Sequence, residues 1–168
     1  MTPQLSFEVI YRDVHLIEVL INASNGRYSG TTTIYLSGDG KELIEFGHKL
    51  QGFPKSNNHI EKQEFGFTRK YQEDFLKLKK AHSEVKPASA YIGLEFHCID
   101  DLGHAAVDIT VQEDFWSERP EAIGKVYFEM RFEPAQIDNF VQGLLSIGEK
   151  KEGEAILEGI IDEKDSLI

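Results

Sequence analysis

The chain has 168 residues, a formal net charge of −11 and a hydrophobic fraction of 40%, which suits one domain. Free nucleic acid and anionic membranes are poor partners for it, because phosphate binding requires a clustered basic surface. The single cysteine, Cys98, excludes an intramolecular disulfide and a cysteine zinc cluster. Since the start resembles no signal peptide and no segment has about 20 consecutive apolar residues, a cytoplasmic protein is expected.

The first half of the chain predicts three strands and a helix. Apolar and polar residues alternate over 5–11, 17–23 and 28–36, which is the period of a strand with one buried face. Apolar residues then recur at 3- and 4-residue spacing over roughly 41–50, which predicts an amphipathic helix. The Gly-Phe-Pro segment that follows should end this helix.

The turn between the second and third strands is predicted from Asn25-Gly26. This dipeptide favours the positive φ angles of a two-residue hairpin turn. In that register Ser24 pairs with Arg27, and one face of the hairpin is mostly apolar, as a sheet packed on a core requires.

The second half repeats the pattern of the first. Alternation covers 92–98, 105–111 and 126–132, and a helix is predicted from 134 to about 147. The apolar pattern of the third strand and first helix recurs 94 positions later in the sequence. We therefore predict an α+β fold of duplicated βββα units, with an antiparallel sheet of about six strands and two helices packed on one face. Two separate three-stranded layers are the alternative.

The chain is predicted to be a single domain, 1–168. Repeat one covers about 4–52 and repeat two about 89–148. A charged insertion, 54–88, either folds back across the body or extends as an arm. The acidic tail, 149–168, extends the sheet edge or forms a short helix, and the pattern favours the two equally.

The best candidate for a metal site surrounds one hairpin and consists of His97, Asp100, Asp101 and His104. Imidazole and carboxylate groups can hold a divalent ion. However, aspartates at a turn match ordinary turn chemistry, and the spacing sets no tetrahedral geometry. The sequence also lacks a phosphate loop, a nucleophile elbow, a dinucleotide fingerprint and a zinc-protease helix. We therefore predict a solvated turn, with no metal and no cofactor.

Two candidate partner-binding residues come from the same hairpin. A four-residue loop places Phe96 opposite Val107, and Glu95 then lies directly opposite Asp108 on the outer face. Because opposed like charges are destabilising, some compensation is expected. Neutralisation by Arg131 is the favoured interpretation, while acid–base chemistry and capture of a partner's arginine are alternatives. No pocket is implied, so no catalytic residue is assigned.

The loop between the fifth and sixth predicted strands, which we call the aromatic loop, supplies the other candidates. It places Phe115 and Trp116, the only tryptophan, beside the acids Glu113, Asp114 and Glu118. Aromatic anchors among carboxylates suit docking to a basic partner, because tryptophan often dominates interface energetics. The favoured alternative is that both aromatic side chains close the edge of the core.

Four segments resemble bacterial immunity proteins of the WapI type and related uncharacterised bacterial families. The resemblance covers roughly two thirds of the chain and involves mostly turn and core positions, so it carries over no catalytic or binding residue. It implies a non-enzymatic cytosolic protein that neutralises a cognate toxin. The segments are ASNGRYSG at 23–30, LxxFxxxL at 43–50, GHAAV at 103–107 and EPAxIDxF at 133–140.

Three functions are consistent with these observations. The favoured hypothesis is a non-catalytic, immunity-type binding protein that blocks a basic protein partner through its acidic outer sheet face and the aromatic loop. The first alternative is a small-ligand protein or enzyme that uses Tyr35, Glu95, His97 and Asp108 on the open sheet face. The second alternative is a structural or oligomerising module that pairs through an edge strand or the open face.

Overall fold

A computed structural model describes residues 1–68, 77, 90–114 and 122–161 of the chain. Within the ranges 1–68, 90–114 and 122–161, eight strands and two helices follow one another. They are β1 (Gln4–Arg12), β2 (Leu16–Ser24), β3 (Ser29–Ser37), α1 (Lys41–Leu50), β4 (Glu61–Gly66), β5 (Tyr91–Cys98), β6 (Ala105–Gln112), β7 (Lys125–Phe132), α2 (Ala135–Lys150) and β8 (Glu154–Glu158). None of the helices in the described part of the chain is long and apolar enough to cross a membrane.

The strands form two antiparallel four-stranded sheets. The first sheet has the order β3-β2-β1-β8, and the second has the order β4-β5-β6-β7. Each sheet therefore contains three consecutive strands of one half, plus the strand that follows the helix of the other half. This exchange places β8 beside β1 and β4 beside β5, so the two halves are joined by backbone hydrogen bonds as well as by packing.

The α+β class is confirmed, but eight strands in two sheets replace the predicted sheet of about six strands. The difference comes from β4 and β8. In β4, which lies within the charged segment assigned as an insertion, only Phe65 is buried, so the strand carries almost no alternating apolar signal. For the tail, the sheet-edge interpretation is confirmed over Glu154–Glu158, because β8 pairs with β1.

The register predicted for the second-half hairpin is confirmed. Phe96 lies opposite Val107, and Glu95 lies opposite Asp108. The register predicted for the first-half hairpin is wrong by two residues, because Ser24 pairs with Ser29. An even shift leaves the inward-facing set of residues unchanged, so the buried face was identified correctly.

The first-half turn contains four residues because one asparagine side chain organises it. The Asn25 N–H donates to the Tyr28 carbonyl at 3.1 Å. Its side-chain oxygen Oδ1 accepts the N–H groups of Arg27 at 3.0 Å and of Tyr28 at 2.9 Å. These local bonds satisfy the loop backbone in an Asx turn, which a wider loop accommodates better than the two-residue turn.

One hydrophobic core joins both sheets and both helices. Phe46 of α1 is 1% exposed and Phe140 of α2 is fully buried, and their rings pack edge to face with centroids 6.0 Å apart. Phe46 also contacts the rings of Phe7, Phe65 and Phe96 at centroid distances of 6.0, 5.6 and 6.2 Å. Aromatic rings from β1, α1, β4, β5 and α2 therefore meet at the centre of the molecule.

The helices approach each other closely where α1 begins and α2 ends. Gly40 precedes α1 with a φ of +68°, and a Cβ at this position would overlap the carbonyl oxygen of Gly148. A Cβ on Gly148 would lie 2.6 Å from Cγ1 of Ile44. The contact therefore requires glycine on both helices, because any side chain would push them apart.

Candidate functional site

Three carboxylates form a row across the outer face of the second sheet. Glu95 on β5 pairs with Asp108 on β6, and Asp108 pairs with Glu129 on β7. We call these three residues the acidic row. Asp108, in the middle, has a side chain that is 25% exposed, so it faces a like charge on each side with limited access to water. Directly opposed like charges destabilise a sheet, so the fold gains nothing from this arrangement.

One lysine offsets part of this repulsion, and one imidazole contacts the other two acids. Lys62 on β4 places Nζ 3.7 Å from Oε2 of Glu95. His97 on β5 lies between the other two acids, with Nδ1 3.8 Å from Oδ2 of Asp108 and Nε2 3.5 Å from Oε2 of Glu129. This position of His97 was not predicted, although its alternation with Glu95 on the outward face of β5 indicates that the two side chains share a face. Neutralisation by Arg131, which lies on the same face opposite Ala106, stays a prediction.

A depression of about 700 Å³ opens beside the acidic row. No pocket on this face was predicted from the sequence. Glu95 and Asp108 line it, together with Glu64, Tyr91 and Tyr127. Lys49 and Lys62 also line it, so three carboxylates outnumber two ammonium groups beside two aromatic rings, a combination that suits a further cation.

Gly93 determines where the ring of Tyr91 lies. A Cβ on Gly93 would be 2.5 Å from the Tyr91 hydroxyl and 3.0 Å from ring atoms Cε1 and Cζ. The ring therefore occupies the space that a side chain on residue 93 would fill. The Tyr91 hydroxyl donates a hydrogen bond of 2.8 Å to Oε1 of Glu64 on the neighbouring strand. This bond and the missing side chain hold the ring as a fixed wall of the depression.

Both tyrosines of the depression stay protonated at neutral pH. Burial raises the pKa of the Tyr91 phenol, and its hydrogen bond to Glu64 raises the pKa further. The charge of Asp108 raises the pKa of Tyr127, with smaller contributions from burial and from Glu129. The Tyr127 residue is 67% exposed. Because it also lines the depression, its side chain is accessible to a molecule bound there.

The residues of the predicted hairpin metal candidate lie in two separate groups. Asp100 accepts the N–H groups of Leu102 and His104, and its Oδ2 lies 2.5 Å from Nδ1 of His104. The interaction with His104 lowers the pKa of Asp100. His97 instead lies with Asp108 and Glu129, and one ligand-type atom from each of these three residues lies within 4.8 Å of the other two. This group has the donor atoms of a divalent-cation site, but it also has the arrangement expected of an ion pair that balances the acidic row.

The acidic residues at the start of the aromatic loop form contacts within the chain. Oε1 of Glu113 accepts the Gly124 N–H at 2.6 Å, which closes the loop at its base. The hydroxyl of Tyr35 on β3 donates to Oδ2 of Asp114 at 3.1 Å. Both carboxylates therefore already have partners within the described part of the chain. The other predicted residues of this loop, Phe115, Trp116 and Glu118, lie outside the described residues.

The corresponding row of the first sheet has a different chemistry. Tyr35 on β3, 94 positions before Glu129, pairs with Glu18 on β2, which pairs with Tyr11 on β1. One acid between two tyrosines therefore stands where the second sheet has three acids. Because the same strand order tolerates both rows, the fold does not require three opposed carboxylates. Tyr35 does not line the depression, so the group proposed for the small-ligand alternative is not brought together as a whole.

The edge of the second sheet at β7 is partly covered. The Nδ2 of Asn25 donates to the carbonyl oxygen of Glu129 at 3.0 Å. The Ile160 N–H donates to the carbonyl oxygen of Arg131 at 2.9 Å. Two acceptors that a foreign strand would need are therefore occupied, so this edge is less suited to strand pairing than the open face is.

Comparison with protein-family models, curated protein sequences and solved structures finds no match. The assignment of function therefore depends on the acidic row, the depression beside it and the charge of the chain.

Proposed function

We propose that the protein is a non-catalytic binding protein that captures a basic protein partner on the outer face of the second sheet. The acidic row carries this proposal. Glu95, Asp108 and Glu129 oppose one another at a cost in stability, and this row of three opposed acids exceeds the single opposed pair, Glu8 and Glu154, on the outer face of the first sheet. Groups kept at such a cost are typical of functional sites.

The charge of the whole chain supports the same partner class. A formal net charge of −11 attracts a positively charged protein over distances longer than a contact and raises its association rate. Contacts at the acidic row would then fix the orientation of the complex. The pairing of opposite charges relieves the repulsion within the row, so part of the binding free energy comes from strain already present in the free protein.

Within this class, we propose an immunity-type role in the cytoplasm, in which the partner is a basic toxin domain. The four sequence segments that resemble WapI-type immunity proteins support it. Inhibition of a toxin by tight binding, without catalysis, also agrees with an open face to which no catalytic group is assigned. The aromatic loop, with Phe115, Trp116 and Glu118, would add contacts to the same partner.

The depression favours a second candidate function, the binding of a small cationic ligand. Its volume of about 700 Å³ falls within the range of ordinary small-molecule sites. A metabolite that binds there would shift the melting temperature of the protein in the absence of any protein partner.

We also infer that the two halves are duplicated βββα units. The 94-residue offset in the sequence and the matching strand orders of the two sheets support this inference. Duplication would explain how one outer face changed its chemistry while the other continued to support the fold.

Photo-crosslinking in native cells tests the main proposal. A crosslinking amino acid at the exposed position Lys125, on the same face of β7 as Glu129, should capture a protein of basic isoelectric point, which mass spectrometry identifies. Expression of that partner alone should arrest growth, and co-expression of the present chain should restore it.

Two triple variants provide the matched comparison. Glu95→Gln, Asp108→Asn and Glu129→Gln together should abolish both capture and growth rescue. Glu8→Gln, Glu18→Gln and Glu154→Gln remove the same number of charges from the outer face of the first sheet and should leave both intact. Equal behaviour of the two variants would refute the assignment of the face, and a crosslinked partner without toxicity would refute the immunity role alone. The acids of the first-sheet variant lie on β1, β2 and β8.

A further inference from the structure

We infer that the depression receives one arginine side chain of the basic partner, with its guanidinium group held between the two tyrosine rings and the carboxylates. This inference rests on the proposed function, because it specifies the chemistry at the same face. The depression is lined by the acids Glu64, Glu95 and Asp108, by Tyr91 and Tyr127, and by Lys49 and Lys62, so an entering cation would meet acidic groups from three strands in competition with two lysines.

The walls match a flat cation better than a spherical one. The ring of Tyr91 is held in place over Gly93 by its 2.8 Å bond to Glu64, and Tyr127, which is 67% exposed, lines the depression from β7. A guanidinium group is planar and weakly hydrated, so it stacks on aromatic rings at a lower desolvation cost than an ammonium group.

The number of acceptors also favours arginine. Glu95 and Asp108 are directly opposed on neighbouring strands, and Glu64 lies on the third. The carboxylate oxygens of these three residues outnumber the three N–H donors of a lysine ammonium group. The five N–H donors of a guanidinium group can instead bond two carboxylates at once.

Lys62 occupies part of this space in the free protein. Its Nζ lies 3.7 Å from Glu95, and its side chain is 71% exposed, so the ion pair is weak and easily displaced. Lys49 is held at the rim, where its Nζ donates to the carbonyl oxygen of Lys62. We therefore expect Lys62 to compete with the incoming arginine, and its removal should strengthen binding.

The test uses short peptides that carry one arginine, one lysine or one citrulline between glycines, titrated into the full chain and followed by NMR. The arginine peptide should shift resonances of β4–β7 with a dissociation constant of about 1 mM or below. The lysine peptide should bind about five- to tenfold more weakly, and the citrulline peptide, which lacks the charge, should not bind. Free L-arginine should bind more weakly than the peptide, because its own carboxylate meets the acidic row.

Point variants test which residues bind the arginine peptide and whether each substitution weakens or strengthens its binding. Glu95→Gln and Tyr127→Ala should each weaken the arginine peptide at least about fivefold, while Lys62→Met should tighten it about two- to threefold. Glu8→Gln on the first sheet is the matched control and should change nothing. These side chains lie on the surface, and the unperturbed resonances of each variant verify its fold.

Each outcome decides the inference. Equal binding of the arginine and lysine peptides, no binding at about 20 mM, or an unchanged affinity in Lys62→Met would overturn it. Free arginine binding about tenfold more tightly than the peptide would overturn the assignment to a protein partner in favour of a small ligand. If the partner protein still requires the acidic row while the peptides fail, the proposed function stands and only the arginine inference falls.

Discussion

Neutralising the central acid of the acidic row should stabilise the protein. Asp108→Asn keeps the size of the side chain and its ability to accept a hydrogen bond, but it removes the charge that faces Glu95 and Glu129. A surface substitution that stabilises by removing a charged group is unusual, because most substitutions destabilise. The sign of the effect therefore tests whether this row serves binding rather than folding.

The size of the effect follows from the geometry. Asp108 takes part in two directly opposed like-charge pairs, each costing about 0.2–1 kcal/mol. Its distance of 3.8 Å from His97 is too long for a strong hydrogen bond, and an asparagine can still accept a hydrogen bond from Tyr127, so the attraction that is lost is smaller than the repulsion that is removed. We expect a net gain of about 1 kcal/mol in the free energy of unfolding, equivalent to about 2–4 °C in Tm for a chain of this size.

Urea denaturation at neutral pH measures the change directly. Asp101→Asn is the matched control, because Asp101 lies in the exposed turn between β5 and β6 and has no acid paired across a ladder. This control should change stability by less than about 0.5 kcal/mol. The gain in Asp108→Asn should fall by at least half in about 1 M salt, where the screening length is near 3 Å. Destabilisation by Asp108→Asn, or an equal gain in the control, would refute the argument.

Three further substitutions test the core, the depression and the helix contact. Phe46→Ala should destabilise by about 4 kcal/mol, because a buried ring with four aromatic neighbours is lost, while Tyr28→Ala at an exposed position should cost under about 0.5 kcal/mol in urea denaturation. The pKa of Tyr91 is higher in the folded protein than its ordinary value of 10.0. The resulting contribution to the free energy of unfolding is therefore present below pH 10.0 and is lost as the pH rises above it. The wild type should therefore lose more stability than Tyr91→Phe on going from about pH 9 to pH 11, and parallel losses would contradict this. Gly103→Ala, at φ +86° with open space around it, should cost about 1–2 kcal/mol, and Gly40→Ala should cost at least about 3 kcal/mol, because the added Cβ also meets the carbonyl of α2. Similar thermal shifts for the two glycine variants would show that the helices can separate cheaply.

Strands with one buried face were predictable because apolar and polar residues alternate along them. The register of β5 against β6, and hence the opposition of Glu95 and Asp108, followed from the apolar pattern and the length of one turn. The β2–β3 register did not follow, because Asn25 bonds its own loop and makes a wider turn than its sequence signature predicts. Local side-chain chemistry overrode the usual turn preference at that point.

The exchange of β4 and β8 between the sheets could not be predicted from one sequence. Both strands are short, and their partners lie in the other half of the chain, so no local signal specifies the pairing. The depression was missed for the same reason. It depends on Tyr91 lying over Gly93 and on Glu64 arriving from β4, and the position of β4 is known only once the sheet is assembled.

The affinity of the crosslinked basic partner for the two triple variants tests the central claim most directly. Each variant changes the formal charge from −11 to −8 by removing three carboxylates, so the long-range attraction is matched. By calorimetry, loss of the acidic row should weaken binding at least about 100-fold, because each charged contact contributes about 1.5–3 kcal/mol. The first-sheet variant should weaken it less than about threefold. An equal loss in both variants would show that only net charge matters and would contradict a defined site on the second sheet.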